Sequence, residues 1–157
     1  MIYLIYFNDK EKAEENIKES AFAEYPFGQS NFGLFSQFYL GKIENAKYMF
    51  MKSSKHEFSL SEYNLSQIYA KENKTKKSIE YLKRASDHAN KSLIFRDITR
   101  YDMKLEISKL FIICFTNIKL TEYYFSNGEY DESKKYFIKA FTYNDPTYPF
   151  KFQIQFQ

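Results

Sequence analysis

A pattern of fifteen residues recurs four times in this chain and limits the folds that it can adopt. The segments share residue sizes more than identities: FNDKEKAEENIKESA (7–21), LGKIENAKYMFMKSS (40–54), ENKTKKSIEYLKRAS (72–86) and NGEYDESKKYFIKAF (127–141). The seventh column holds Ala13, Ala46, Ser78 and Ser133, the eleventh Ile17, Phe50, Leu82 and Phe137, and the fourteenth Ser20, Ser53, Ala85 and Ala140. Residues at these spacings lie on one face of a helix. Each segment is therefore predicted to be a turn followed by a packed helix.

The spacing of the segments indicates pairs of helices. Along the seventh column, 33 residues separate Ala13 from Ala46, 32 separate Ala46 from Ser78, and 55 separate Ser78 from Ser133. A period near 33 residues fits two helices joined by short turns. Upstream of the last three segments, apolar residues recur at helical spacing and supply the first helix of each pair. We predict an all-α fold with helices at about residues 9–23, 29–40, 44–55, 59–72, 75–89, 105–127 and 131–143.

Particular residues mark the predicted helix ends. Gly41 and Gly128 follow two first helices, where a left-handed residue commonly ends a helix, and Asn73 takes the same place in the third segment. The stretch LEISKLFIICFTNIKLTEYYFSNG, before the fourth segment, is apolar nearly all round, which predicts a helix buried on every side. A helix stop is predicted at Asn144-Asp145-Pro146.

Two stretches resemble known helical repeats. Residues 63–86, YNLSQIYAKENKTKKSIEYLKRAS, are similar to a Sel1-like repeat. Residues 120–146 resemble its close relative, the tetratricopeptide repeat, through Leu120, Tyr124, Gly128, Tyr130, Ser133, Phe137, Ala140 and Pro146. The resemblance implies antiparallel helix hairpins stacked into a right-handed superhelix, with the first helices lining a concave groove. It further implies a protein-interaction module that holds a partner protein or peptide in that groove.

The resemblance divides the chain into one helical-repeat domain and a tail. The domain covers residues 1–146, with repeat units at about 1–25, 27–57, 59–92 and 105–146 and an irregular insert at 93–104. The tail, residues 147–157, reads TYPFKFQIQFQ and alternates apolar with polar residues. We expect it to be extended or loosely attached, or else to be the start of a further helix.

The first repeat leaves only MIYLIYF for its first helix. The chain is therefore predicted to begin inside a helix, with apolar residues facing outward at Ile2, Tyr3, Ile5 and Tyr6. Because the end of a repeat stack is normally polar, we expect either a C-terminal fragment of a longer scaffold or self-association through this N-terminal edge.

Composition and charge argue against several other classes of protein. The net charge of +3 comes from 23 basic and 20 acidic residues that are interspersed, which gives no strong nucleic-acid signal. The basic run of Lys74, Lys76, Lys77, Lys83 and Arg84 is interpreted as a solvated edge, with phosphate binding as the alternative. The start of the chain lacks the basic region of a signal peptide, and LFIICF is too short to span a bilayer. We expect an intracellular, cytoplasmic protein with no membrane contact.

Catalytic chemistry is not indicated. His56 and His88 fall at turns or helix ends, and neither lies in a cluster with metal-ligand spacing. Cys114 is predicted to be a buried, inert thiol. The carboxylates lie among lysines on helix faces that we expect to be solvated. We therefore predict no enzyme activity, no catalytic residue, no metal and no cofactor.

The resemblance also implies which side chains face the partner. On the first helices of the third and last repeats, the predicted partner-binding residues are Tyr63, Asn64, Gln67, Lys71, Ile118, Lys119, Glu122 and Phe125. Asn64 and Lys119 occupy positions from which some family members grip a carboxylate. An aromatic stripe, consisting of Phe32, Phe35, Phe38 and Tyr39, is interpreted as core, with a ligand-facing patch as the alternative. The alternative functions are an RNA-binding helical-repeat protein and a degenerate repeat without independent activity.

Overall fold

The structure, a computed structural model, describes residues 10–89 and 102–142. Over these two ranges the chain forms seven helices and no strand: α1 (Lys10–Phe22), α2 (Pro26–Phe38), α3 (Ile43–Ser54), α4 (Ser59–Lys71), α5 (Thr75–His88), α6 (Asp102–Ser126) and α7 (Tyr130–Phe141). The prediction of an all-α fold is confirmed, and every predicted helix end lies within three residues of the observed one. Outside the described residues lie the tail, the Asn144-Asp145-Pro146 stop, most of the insert, and Ile2, Tyr3, Ile5 and Tyr6.

Consecutive helices pack as hairpins, and the hairpins stack. The pairs α2–α3, α4–α5 and α6–α7 each pack closely, while α1, α3 and α5 each contact the first helix of the hairpin that follows. The helices α4 and α6 also touch, so these two first helices lie side by side. This order of contacts is the predicted stack of antiparallel hairpins.

The eleventh column of the repeat forms the contact between successive hairpins. Ile17 packs with Phe32 and Phe35 of α2. Phe50 packs with Leu65, Ile68 and Tyr69 of α4, and Leu82 packs with Leu120 and Tyr124 of α6. Each of these large side chains on a second helix therefore covers the next first helix. Phe137, the last member of the column, is 37% exposed.

Small residues allow the helices to approach one another. The buried members are Ala46, Ser78 and Ser133 in the seventh column and Ser53, Ala85 and Ala140 in the fourteenth column. Ser20 is exposed, and the side chain of Ala13 is outside the described residues. On α2 the same need is met by Gly33, because a Cβ atom there would stand 2.6 Å from Cε1 of Phe50. This glycine in the middle of a helix is thus required by the ring that packs on it.

A left-handed residue stands in each of the five turns between consecutive helices that the described ranges contain. Gly41, Asn73 and Gly128 have φ of 66°, 59° and 76° within the hairpins, which confirms the predicted helix ends. Between the hairpins, Glu24 and Glu57 have φ of 59° and 57°. A left-handed conformation at these two glutamates is not predictable from their residue type, because a side chain with a Cβ atom seldom adopts it.

Candidate functional site

The exposed side of α6 carries a line of apolar side chains. Phe111, Phe115, Ile118 and Phe125 are 48%, 43%, 36% and 64% exposed. With Glu122 they follow the spacing of a single helix face. Two of the rings, Phe111 and Phe115, stack with their centroids 4.1 Å apart. The prediction that this helix is buried on every side is therefore wrong, because the helix has two apolar faces and its neighbours cover only one.

The line on α6 continues onto α4. The ring of Tyr63 on α4 meets the ring of Phe111 edge to face, with the centroids 6.4 Å apart. We define the first-helix face as the eight partner-binding residues predicted from sequence together with Phe111 and Phe115: Tyr63, Asn64, Gln67 and Lys71 on α4, and Phe111, Phe115, Ile118, Lys119, Glu122 and Phe125 on α6. The role of the eight residues in binding stays a prediction.

The α4 part of the first-helix face is polar. Tyr63, Asn64 and Gln67 are half-buried, and Lys71 is exposed. Asn64 donates its Nδ2 hydrogen to the carbonyl of Leu60 at 2.8 Å, and Gln67 Nε2 lies 3.3 Å from the hydroxyl of Ser66. The amide of Asn64 thus already bonds to its own helix.

The polar residues of the α6 part form a pair. Lys119 Nζ lies 2.9 Å from Glu122 Oε2, and both side chains are more than half exposed. An exposed pair of this kind contributes little to stability and breaks readily. Lys119 thus carries a carboxylate partner at the position where the resemblance implies a carboxylate-binding cation.

Sequence reasoning missed Phe111 and Phe115. The signal was present in the spacing, because these residues precede Ile118 by seven and three positions and so lie on the same helix face as Ile118. The signal was obscured because the neighbouring residues are also apolar, so the sequence does not show which face of the helix packs inward. The α6 part of the face is consequently longer and more aromatic than predicted.

The aromatic stripe of α2 divides between core and surface. Phe32 and Phe35 are buried, as the core interpretation predicts. Phe38 and Tyr39, at the end of the helix, are 70% and 48% exposed, so the core interpretation is wrong for them. The ring of Tyr39 stacks on that of Phe35 at 5.4 Å, which extends the core outward.

The basic run does not form a continuous positive surface. Lys74 pairs with Glu72 at 2.6 Å. The ammonium groups of Lys77 and Lys83 lie over the rings of Tyr69 and Tyr124, at 5.5 and 5.3 Å from their centroids. These cations are therefore engaged by carboxylates and rings of the chain itself rather than gathered at one phosphate-sized site.

Glu62 contradicts the expectation that carboxylates lie on solvated faces. Its side chain is fully buried, with Oε1 2.9 Å from Arg84 Nη2 and Oε2 2.8 Å from His88 Nδ1. Burial is the largest influence on the pKa of Glu62 and raises it, while His88 and Arg84 act in the opposite direction. Arg84 also donates to the carbonyl of Ser54 at 2.9 Å. The cluster satisfies a buried charge at a packing contact between α4 and α5.

Cys114 is half-buried, and its thiol lies 3.4 Å from the carbonyl oxygen of Ala140. Burial raises the pKa of this thiol, which keeps it in the protonated, less reactive form. Across residues 10–89 and 102–142, no three His, Cys, Asp or Glu side chains are grouped so as to hold a metal ion. In the same part of the chain, no helix combines the length and the apolar character that a membrane span requires.

The comparisons with known proteins agree with the stacked hairpins. The family model of the tetratricopeptide repeat matches residues 63–87 and 120–146, which contain most of α4–α5 and all of α7. The Sel1-like repeat, which residues 63–86 also resemble, is a close variant. Neither a curated protein nor a solved structure matches the chain significantly. The two matched stretches and the serial packing of hairpins together support a tetratricopeptide-like arrangement of helical repeats.

Proposed function

We propose that the first-helix face binds a segment of a partner protein. Tetratricopeptide repeats are generally protein-interaction modules, and the family is not a catalytic one. The observation that carries the proposal is the apolar line of Phe111, Phe115, Ile118 and Phe125 on α6. Exposed apolar side chains grouped on one helix face mark an interaction site, since exposing them to water is unfavourable.

The shape and chemistry of the face indicate the kind of segment that it accepts. From Phe111 to Phe125 the apolar line is about 21 Å long, at a rise of ~1.5 Å per residue. That length matches about four turns of an amphipathic helix, or six to seven residues of extended chain. The neighbouring Gln67 and Lys71 add polar contacts beside the apolar line. A partner segment with three or four apolar anchors on one side and polar or acidic residues on the other fits both parts.

The basic run does not favour RNA as the ligand. RNA-binding repeats require a basic surface together with side chains that stack on or pair with bases. Arg84 bonds to the fully buried Glu62, and Lys83 lies over the ring of Tyr124. These two cations stabilise the stack, so the protein-binding proposal stands without a second candidate.

Site-specific photo-crosslinking tests the proposal. A photoreactive phenylalanine analogue replaces Phe125 on the first-helix face or, as the matched control, Tyr48 on α3, which is 55% exposed. In a cell extract we expect partner adducts from position 125 that mass spectrometry maps to one recurring segment. The adducts should disappear when Phe115→Asp is added. Adducts that form equally from position 48, or that survive Phe115→Asp, would contradict the proposal.

A further inference from the structure

The polar side chains beside the apolar line of α6 are already bonded within that helix. Thr121 Oγ1 donates to the carbonyl of Asn117 at 2.8 Å. Ser126 Oγ donates to the carbonyl of Glu122, also at 2.8 Å, and the carboxylate of Glu122 pairs with Lys119. The line therefore offers few polar atoms with which the backbone of a bound segment could exchange hydrogen bonds.

This bonding decides between the two segment shapes that fit the length of the line. An extended segment lying there would lose water from its backbone N–H and C=O groups without gaining partners, since the amide of Asn64 on α4 is also bonded to its own helix. An α-helix satisfies its backbone groups internally. An amphipathic helix is thus the segment that can bury its apolar side on the line without leaving backbone groups unpaired.

At the C-terminal end of α6, the line meets a second exposed ring and two carboxylates. The rings of Phe125 and Tyr130 are both 64% exposed and meet edge to face, with their centroids 5.5 Å apart. Glu129 and Asp131, on either side of Tyr130 in the sequence, are exposed, and no cation in the described part of the chain pairs with them. Aromatic rings and carboxylates both attract cations, so this end of the line complements a positive side chain.

We propose that the partner segment of the first-helix face is an amphipathic helix that carries a lysine or arginine at the end passing Phe125. The inference rests on the proposed function of this face and names the shape and charge of the segment. About four helical turns place apolar residues at positions i, i+4, i+7 and i+11 against the line. The basic residue then lies beside Tyr130 and its two neighbouring carboxylates.

Selection on the full chain from a phage-displayed library of random 16-residue peptides tests the inference, with Phe115→Asp for counter-selection. We expect the enriched peptides to carry apolar residues at helical spacing and Lys or Arg at one end. Selection on Glu129→Gln with Asp131→Asn should keep the apolar spacing and lose the basic residue. Glu132→Gln is the matched control and should keep both, because this carboxylate at the same helix end already pairs with Lys135.

The affinity of one enriched peptide measures the effect of the charged end. Replacing its basic residue by Gln should weaken binding to the parent protein about three- to fivefold. The same replacement should leave binding to Glu129→Gln with Asp131→Asn unchanged. Circular dichroism should show that the peptide gains helix on binding, and a proline at its centre should abolish binding.

The outcomes separate this inference from the function on which it rests. Enriched peptides whose apolar residues alternate would overturn the helical shape, although the face would still bind a segment. An undiminished preference for basic residues in Glu129→Gln with Asp131→Asn would overturn the charged end in the same way. A selection that yields no peptide dependent on Phe115 would contradict the proposed function itself, and this inference with it.

Discussion

The hairpins α2–α3 and α4–α5 have the same fold but stabilise it differently. In the turn of α4–α5, the backbone amide of Lys74 donates a hydrogen bond to the carbonyl of Tyr69, five residues earlier. In the turn of α2–α3, the amide of Lys42 donates to the carbonyl of Ser36, six residues earlier, so this loop is one residue longer. This extra residue shifts α2 by one position relative to the repeat pattern. The family model matches α4–α5 and leaves α2–α3 unmatched.

The two hairpins also differ in how they satisfy a buried polar side chain. At equivalent positions, α2 buries Gln29, α4 buries Glu62 and α6 buries Asn117. Glu62 pairs with Arg84 and His88, and Asn117 with Ser86, but Gln29 Oε1 has no hydrogen-bond partner among the residues that the structure describes. A polar residue is thus tolerated at this position of each first helix, and what varies is whether the second helix supplies its partner. The two hairpins therefore share the columns of small and large residues and differ in whether the buried polar side chain is paired.

The largest expected effect comes from removing the partner of Glu62. Arg84→Met should cost about 2–4 kcal/mol, because the change leaves a buried carboxylate with His88 alone. The matched change in α2–α3, Gln29→Met, should cost much less, since no bond is lost at Oε1. Chemical denaturation of the two variants measures the difference. Equal losses would show that the two hairpins do not differ in this way.

The same variant has a predicted pH dependence. Burial holds the pKa of Glu62 above the ordinary value of 4.5, and losing Arg84 raises it further. The unfolded chain then releases its proton at lower pH than the folded chain, so stability falls as pH rises from about 4.5 through the raised pKa. In Arg84→Met this fall should be steeper and extend to higher pH than in the parent. Combining it with Glu62→Gln should abolish the difference in slope.

Overpacking of the fourteenth column should have the next largest effect. Ala85 and Ala140 are 0% and 3% exposed, so Ala85→Leu and Ala140→Leu should each cost about 1–3 kcal/mol. For a chain of this size, each kcal/mol lowers Tm by roughly 2–4 °C. Ala70→Leu, on the exposed side of α4, serves as the control. Melting of the Ala85 variant within a degree of the control would refute the column assignment.

A smaller effect is expected where α2 approaches Phe50. Replacing a helical glycine by alanine normally stabilises by about 1 kcal/mol, but the new Cβ atom at Gly33 would clash with the Phe50 ring. Gly33→Ala should therefore cost about 1–2 kcal/mol net. Adding Phe50→Leu should make the alanine substitution less costly than it is in the parent. A double-mutant cycle measures this coupling, and a value of zero would place the two residues out of contact.

The turns should give the smallest effects, with opposite signs. Gly41→Ala should cost about 1 kcal/mol, because its φ of 66° disfavours a side chain although no atom lies within 4 Å of the new Cβ. Asn73→Gly should stabilise by about 0.5 kcal/mol, since asparagine tolerates the left-handed conformation less well than glycine. Differential scanning calorimetry resolves both changes. A loss of stability in Asn73→Gly would mean that its side chain contributes more than its backbone conformation costs.

The helices and their packing were predictable from the sequence because they depend on local spacing. The columns around Phe50 and Leu82 repeat at a fixed period, and Gly41, Asn73 and Gly128 mark turns by their backbone preference alone. Residue types within a dozen positions of one another indicate each helix and turn, and the period near 33 residues indicates their pairing into hairpins. The predicted face residues Ile118 and Phe125 came instead from the resemblance to helical repeats, and their role in binding stays a prediction.

The features that escaped prediction depend on contacts between distant parts of the chain. Nothing near Glu62 in the sequence shows that Arg84 and His88, more than twenty residues later, will surround it. The apolar surroundings of Phe111 and Phe115 likewise conceal which side of α6 its neighbours cover. Spacing identifies an apolar face, but only the assembled stack decides whether that face is buried.

The position of Arg84 has a consequence for how the array melts. Its guanidinium donates hydrogen bonds to the carbonyl of Ser54 at the end of α3 and to the carboxylate of Glu62 on α4. Arg84 therefore links hairpin α2–α3 to hairpin α4–α5. Lys47 of α3 reaches Glu72, in the turn after α4, at 2.6 Å. In a linear array, cooperativity comes from such links between neighbours rather than from a shared centre. Hairpins α2–α3 and α4–α5 should therefore lose structure in one transition, so that opening either of them exposes both.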